Sequence, residues 1–414
     1  MCHALAQVRG TSLHRRREMK LLFLSQVLPY PLDAGPKVRS YYVLRYLAQY
    51  HRLTLVTFVR RGDSDAALGH LKTFCEAVHP VLLTRSRVQD GLHLLAALAQ
   101  RKSFLVQRDD LESMHARIVE IMKHETFDAV HADQLSMAHY ATRLNLPRVL
   151  DEHNAMWTIT ARMSENETNA LKRAVLANEA TKLKAHEARL VSQFDQVITV
   201  TQADARALTF PDAPPRAPIK TIPICIDPFA VTPVQLDPYA RNLIFLGGML
   251  YPPNVDGVLW FAREILPQIW ARSPESKFFV VGARPPASVI ALGKRDARIV
   301  VTGYVQDAKL FLEKSAVFVV PLRAGGGMRV KILDAWARGV PIVTTTVGCE
   351  GIECAPTENL LVADRAELFA NAILNLLDNP QRAQELAQLG RAWVETHYAW
   401  QKIYPAFDAI YPRA

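Results

Sequence analysis

No apolar run in this 414-residue chain approaches the roughly 18–20 residues that a bilayer-spanning helix needs, which excludes an integral helical membrane protein. Cysteine is scarce: the five residues Cys2, Cys75, Cys225, Cys349 and Cys354 are scattered, odd in number, and never at zinc-ligand spacing. That excludes a disulfide scaffold and a zinc module, and fits a reducing cytosol. Short-period repeats are absent as well. Half the residues are hydrophobic and 21% are charged, enough apolar surface for sizeable cores and too much for broad disorder. A prior of about 100–200 residues per domain gives two or three domains. The net charge of +9 fits nucleic acid, an anionic membrane face or an anionic small substrate, and composition does not choose among them.

Part of that charge is local. Residues 1–18 show no hydrophobic periodicity and carry Arg9, Arg15, Arg16 and Arg17 against Glu18, leaving +6 for the rest. They are expected to be a disordered tail. The apolar stretch Leu21–Leu24 is too short for a signal peptide and stops at Ser25-Gln26. Met19 is an alternative start.

The body of the chain alternates strand and helix patterns. Strands are predicted at Lys20–Ser25, Leu53–Val59, Ala129–Ala132, Val149–Glu152 and Val197–Thr201, with a helix from Pro36, whose missing N–H costs nothing in a first turn. Seven prolines then crowd into Thr209–Pro233, which marks an interdomain linker. The alternation restarts with strands at Leu243–Gly247, Lys277–Val281, Ile299–Thr302, Val317–Pro321 and Ile342–Thr344, and helices at Val255–Trp270, Ala308–Ser315 and Met328–Arg338. The expected class is α/β: two doubly wound Rossmann-like domains of similar size. The boundaries are a tail at 1–18, an N-terminal domain at 19–208, a linker at 209–239, a C-terminal domain at 240–395 and a final helical segment at 396–414. Ligands of such sheets bind beyond the carboxyl ends of the strands, so the loops there carry the functional candidates.

The strongest local signal runs from Pro321 to Ala335. A strand ends, Gly325, Gly326 and Gly327 follow, then Met328, Arg329 and Lys331 open a helix. Glycines admit positive φ and close backbone approach, and a helix start offers unpaired N–H groups. Together with two cations this is a phosphate site, suited to a pyrophosphate. Lys331 and Asp334 share a helix face, placing a cation for phosphate beside a carboxylate for ribose hydroxyls. No Gly-Lys-Ser/Thr ends the loop, so it is not a Walker motif.

This segment resembles the donor-binding signature of the GT-B glycosyltransferases of family 4, in the subset with Gly-Gly-Gly-x-Arg-x-Lys-x-Leu-acid-Ala. Other stretches agree in order: Phe245-Leu246-Gly247-Gly248-Met249 with Pro253-Asn254-Val255-Asp256, Val281-Gly282, Val301 to Asp307, Thr345–Ile352, and the linker strand Ile222–Asp227. The resemblance implies two domains facing across a cleft, a C-terminal helix returning to the N-domain, and a retaining sugar transfer from a UDP- or GDP-type donor to a hydroxyl. The donor contacts it implies are Gly35, Gly248, Asn254, Gly303, Tyr304, Val305, Gly325, Gly326, Gly327, Met328, Arg329, Lys331 and Asp334. Two positions depart from the broader family, where Gly326 and Asp334 are glutamates. Glycine at 326 is normal for the nearest subset, and Asp334 keeps the charge on a shorter arm.

On the N-terminal side, Gly35 precedes a helix with Lys37 and Arg39 nearby. His131 and Asp133 end one strand and His153 ends another. Sugar transfer needs cations for the leaving diphosphate and an acceptor for the hydroxyl proton, so these three are the catalytic candidates. No DxD-like pair marks the donor site, and Asp109-Asp110 reads as solvated surface in a charged helical stretch. No metal and no cofactor are expected, the nucleotide sugar being substrate. The expected acceptor is lipid-linked or a growing polysaccharide, in envelope or exopolysaccharide assembly. His93–Val106 mixes apolar bulk with Arg101-Lys102, compatible with peripheral contact with an anionic membrane on its cytoplasmic side. No nucleic-acid module is present. The alternatives are a nucleotide-sugar epimerase or hydrolase on the same fold, or a non-catalytic partner subunit.

Overall fold

The structure, a computed structural model, describes residues 18–84, 91, 103–165 and 167–413. The basic tail and most of His93–Val106 lie outside the described residues. Two parallel sheets organise the rest. The first contains β1 (Lys20–Ser25), β2 (Arg52–Val59), β3 (Ala77–Leu82), β4 (Ala129–Asp133), β5 (Arg148–Glu152), β6 (Gln196–Thr199) and β7 (Lys220–Thr221), in the order β3-β2-β1-β4-β5-β6-β7. The second contains β8 (Asn242–Leu246), β9 (Phe278–Val281), β10 (Ile299–Gly303), β11 (Ser315–Val320), β12 (Ile342–Thr344) and β13 (Leu361–Val362), in the order β10-β9-β8-β11-β12-β13. Every pairing between these strands is parallel. The central strands are covered on both faces, which is why Leu21–Leu24 reads as a continuous apolar run and is fully buried.

The helices that matter for the site are α1 (Gly35–Leu47), α2 (Glu112–His124), α3 (Leu135–Ala141), α4 (Met156–Glu165), α5 (Ala170–Val191), α6 (Pro252–Trp260), α7 (Val330–Ala337) and α8 (Pro380–His397). Pro36 occupies the first turn of α1 and Pro380 that of α8, where Asn379 caps by accepting from the Arg382 N–H at 3.1 Å. The predicted helix over Val255–Trp270 is present, but its hydrogen-bond spacing widens midway, with a π-turn at Phe261–Ile265. The proline-rich stretch contributes the short edge strand β7, so the first sheet extends into it.

The chain end crosses back onto the first domain. A short helix at Trp400–Ile403 and a 3₁₀ turn at Tyr404–Ala409 pack on α1, with Tyr46 Oη donating to Asp408 at 2.6 Å. Strand order reverses between β1 and β4 and again between β8 and β11. These two reversals are the crevices where such sheets bind ligands. The candidates from the sequence sit in the loops that leave them.

Candidate active site

On the C-terminal domain the site is built by the loops after β8 and β11. The backbone must come close here: a Cβ on Gly282 would stand 1.9 Å from the Gly247 carbonyl oxygen. Asn254, in the first turn of α6, is buried; its Nδ2 donates to the Gly248 carbonyl at 2.8 Å and its Oδ1 accepts from Lys331 Nζ at 2.9 Å. Lys331 Nζ also lies 4.2 Å from the centre of the Phe245 ring. Desolvation, reinforced by Arg329, pulls the Lys331 ammonium down to about 7. Gly248 itself faces open space.

The glycine loop uses its freedom. Gly325 and Gly327 have φ of 121° and 74°. Arg329 is buried, and one of its nitrogens donates to the carbonyls of Gly326 and, at 2.9 Å, Gly327. Its Nε and second terminal nitrogen are buried with no hydrogen-bond partner, and desolvation lowers its pKa. Two basic side chains are therefore held desolvated near an open glycine, Arg329 with two nitrogens unpartnered among the described residues, a setting in which an anionic group would be stabilised. The helix begins at Val330, two residues later than predicted. Met328 is buried beneath the loop. Asp334 is half exposed and accepts from Arg338 Nε at 2.9 Å along α7. Gly303, with φ of 72°, ends β10, and Tyr304 beyond it is 65% exposed.

The first domain meets this loop directly. A Cβ on Gly326 would lie 2.7 Å from Ile159 Cγ1 of α4, and one on Gly327 would lie 1.9 Å from Asn154 Oδ1. Gly35 faces Val330 across the same boundary, with 3.3 Å to its Cγ2 from a Cβ at that glycine. Arg162 of α4 donates to the Gly325 carbonyl at 3.3 Å and pairs with Glu350 at 2.8 Å. A cleft of about 540 Å³ runs beside the loop, lined by Arg162, Gly325, Thr346 and Glu350 among others. A larger cavity of about 900 Å³ lies behind the C-terminal domain, between Pro233–Pro238 and α8, and holds none of these groups.

At the N-terminal crevice the structure brings Asp133 and His153 together, His153 Nε2 standing 2.9 Å from Asp133 Oδ1. The second Asp133 oxygen accepts from Ser25 Oγ at 3.0 Å and Ser40 Oγ at 2.6 Å, so the carboxylate is fixed. His153 Nδ1 is buried without a partner. His131 lies beside this pair: one of its ring nitrogens and carboxylate oxygens of Asp133 and Asp151 fall within 4.8 Å of one another. Its ring is fully buried, stacks on Phe23 at 4.4 Å, and places Nδ1 2.9 Å from Tyr411 Oη and Nε2 3.7 Å from Asp151.

Behind the crevice lies an ion pair that the sequence reading missed. Arg39, expected near the site as one of two basic residues, is fully buried and grips Asp151 with two hydrogen bonds of 3.0 and 3.1 Å. It also donates to the Pro223 carbonyl at 2.8 Å and to Tyr404 Oη at 3.3 Å. Burial alone would raise the Asp151 carboxyl, but Arg39 and the neighbouring histidines hold it well below the ordinary carboxylate range. This cluster ties α1, β5, the linker and the returning chain end together. Lys37, by contrast, pairs with Asp33 at 2.9 Å. Asp109 differs from its expected solvated position: it is 4% exposed and accepts from Gln26 at 2.7 Å.

Residues 240–379 match the protein family described as Glycosyl transferases group 1. An uncharacterized 44.6 kDa protein in the cps region of Klebsiella pneumoniae is 20% identical over 403 residues, covering 93% of this chain and 98% of that protein. Glycogen synthase of Mycobacterium tuberculosis is 26% identical over 370 residues, covering 81% and 83% respectively. Among solved structures, Anabaena Alr3699/HepE in complex with UDP and glucose superposes with a TM-score of 0.66 at 14% identity, over 95% of this chain and 99% of that one. The fold is GT-B, and the comparisons support a glycosyltransferase. No helix among the described residues is long and apolar enough to cross a membrane.

Proposed function

We propose that the chain is a retaining glycosyltransferase that moves a hexose from a UDP- or GDP-type donor to a hydroxyl acceptor in polysaccharide or envelope glycan assembly. The observation that carries this reading is the meeting of a desolvated basic loop with a polar crevice across the domain boundary. Lys331 and Arg329 wait, desolvated, at the glycine loop. Asp133 and His153 are paired at the facing crevice, and Asn154 bridges the gap to Gly327. The mycobacterial relative, a glycogen synthase, and the UDP bound by the Anabaena neighbour point the same way.

In this reading the diphosphate lies on Gly248 and the N–H groups of the loop, with Lys331 and Arg329 balancing the charge that grows as the glycosidic bond breaks. The base packs at Gly303, Tyr304 and Val305, and Asp334 reaches a ribose hydroxyl. The acceptor enters from the first domain. Asp133 fixes the His153 proton on Nε2, which leaves Nδ1 as the acceptor for the hydroxyl proton. His131 acts behind them, through Asp151 and Tyr411, as a positioning residue. Contact of Ile159 and Arg162 with the loop keeps water out during transfer.

A thermal-shift panel with UDP, GDP, ADP and CMP tests the donor class, repeated on Lys331→Ala and Asp334→Ala. One nucleotide should raise the midpoint in the native chain and less in the variants. No shift with any nucleotide would sink the transferase reading; an equal shift in both variants would sink the site. Turnover with and without added acceptor separates transfer from epimerisation or hydrolysis. The anomeric configuration of the product, read by NMR, decides retention.

A further inference from the structure

We infer that Asp110, His115 and His139 form a binding site for one divalent transition-metal ion of the zinc class at the surface of the N-terminal domain. The three residues come from separate places: the turn before α2, the first turn of α2, and α3. Their ligand atoms lie within 4.8 Å of one another. Asp110 Oδ1 is 2.7 Å from His115 Nε2 and 3.3 Å from His139 Nε2. Ligands about 2.0–2.1 Å from a tetrahedral zinc stand roughly 3.3 Å apart, so small adjustments open the centre.

Three further observations favour an ion here. Among the described residues, His139 Nδ1 is buried without a hydrogen-bond partner, and Nε2 meets only the Asp110 carboxylate, at 3.3 Å and poorly aligned for a hydrogen bond. A metal between Nε2 and Asp110 replaces that long contact with two short bonds. The frame is also braced: Tyr140 Oη donates to the Asp109 carbonyl at 2.6 Å and accepts from the Leu111 N–H at 2.8 Å, and the His115 and His139 rings both pack on Tyr140. The turn that carries Asp110 is thus held against α3 before any ion arrives. Finally, Arg143 contacts the other Asp110 oxygen, Oδ2, at 3.3 Å and leaves Oδ1 for the metal. Binding requires the His115 proton to sit on Nδ1, which releases its 3.4 Å contact with Arg143. Arg143 then remains as an outer partner of the ligating carboxylate. Two imidazoles and one carboxylate select zinc, cobalt or nickel over magnesium or calcium, and leave a fourth position for water. The site is separate from the donor loop and acts as a staple between α2 and α3.

The test uses the tag-free full-length chain, stripped with a chelator and titrated with Co²⁺ by visible absorption, then with Zn²⁺ in competition. One equivalent of Co²⁺ should bind with a ligand-field spectrum that Zn²⁺ abolishes. His139→Ala and Asp110→Asn should each weaken binding by more than about tenfold. The exposed His124→Ala, on the same helix, should bind as the native chain does. Absence of stoichiometric uptake, or uptake unchanged in Asp110→Asn, would overturn the site. If His139→Ala loses its cooperative melt, Asp110→Asn decides alone.

Discussion

The ammonium of Lys331 lies 4.2 Å from the centre of the Phe245 ring, a cation resting on an aromatic face inside the crevice between β8 and β11. Hydrogen-bonded to Asn254 and desolvated, it sits at about 7, far below a solvated lysine. A diphosphate placed beside it favours the protonated form, so donor and proton bind together. Nucleotide affinity should therefore be flat below pH 7 and weaken by up to about tenfold per pH unit above it. Lys331→Met should bind weakly at all pH values and lose that slope. Calorimetric titration of UDP or GDP between pH 6 and 9 measures both.

Two glycines of the proposed donor site separate structure from function. A Cβ at Gly327 would collide with Asn154 Oδ1 in a backbone with positive φ, whereas one at Gly248 meets nothing within 4 Å. Gly327→Ala should lower the melting temperature and disturb the domain contact. Gly248→Ala should melt like the native chain and still lose about tenfold or more in nucleotide affinity, because the methyl occupies phosphate space. Native-like binding by Gly248→Ala would move the diphosphate elsewhere.

The proposed donor half was conspicuous in the sequence because its residues are contiguous: Gly325 to Lys331 lie in one loop and are read as one pattern. The proposed acceptor half was conspicuous in part, since polar residues ending buried strands stand out, and Asp133 and His153 meet although 20 positions separate them. Arg39 gave no such signal. Its partners Asp151 and Tyr404 are 112 and 365 residues away, and a basic residue in a helix reads as surface until the fold closes over it. The strands not anticipated are β3, β7 and β13. Two of them are only two residues long, and β3 carries Pro80 at a sheet edge, so periodicity had little to act on.

The buried Arg39–Asp151 pair makes a stability prediction. Both side chains are fully buried, so removing one charge strands the other. Arg39→Met should cost about 3–5 kcal/mol in urea unfolding, while Arg39→Met combined with Asp151→Leu should recover a large part of it. Equal destabilisation by the single and double variants would show that the hydrogen bonds to Pro223 and Tyr404 dominate instead.

Glu187 predicts a pH effect. Its carboxylate accepts the Met156 and Trp157 N–H groups at 2.7 and 3.0 Å and so holds the start of α4, the helix that touches the donor loop. Desolvation pushes it up to about 8. The folded state then binds more protons than the unfolded state between about pH 4.3, the ordinary glutamate value, and 8. Its contribution favours folding below that window and is lost as pH rises through it. Glu187→Gln should remove this part of the decline, read from urea midpoints between pH 5 and 8.5. An unchanged slope would place the titration on another group.

The acceptor-side pair carries the last prediction. Ser25 and Ser40 hold one Asp133 oxygen and His153 holds the other, so the carboxylate is anchored before His153 takes a proton. Asp133→Asn should preserve the fold and nucleotide binding, yet lower kcat by about 10²–10⁴-fold, since the amide no longer stabilises a protonated imidazole. His153→Ala should fall by a similar factor, and the double variant should be little worse than either single one, because the two act as a unit. His131→Phe keeps the stack on Phe23 but loses the Tyr411 and Asp151 contacts, so its turnover should fall by less than that of His153→Ala. A native kcat in His153→Ala would pass the proton-accepting role to the leaving diphosphate. A loss in His131→Phe as large as in His153→Ala would place chemistry, rather than positioning, on the buried ring.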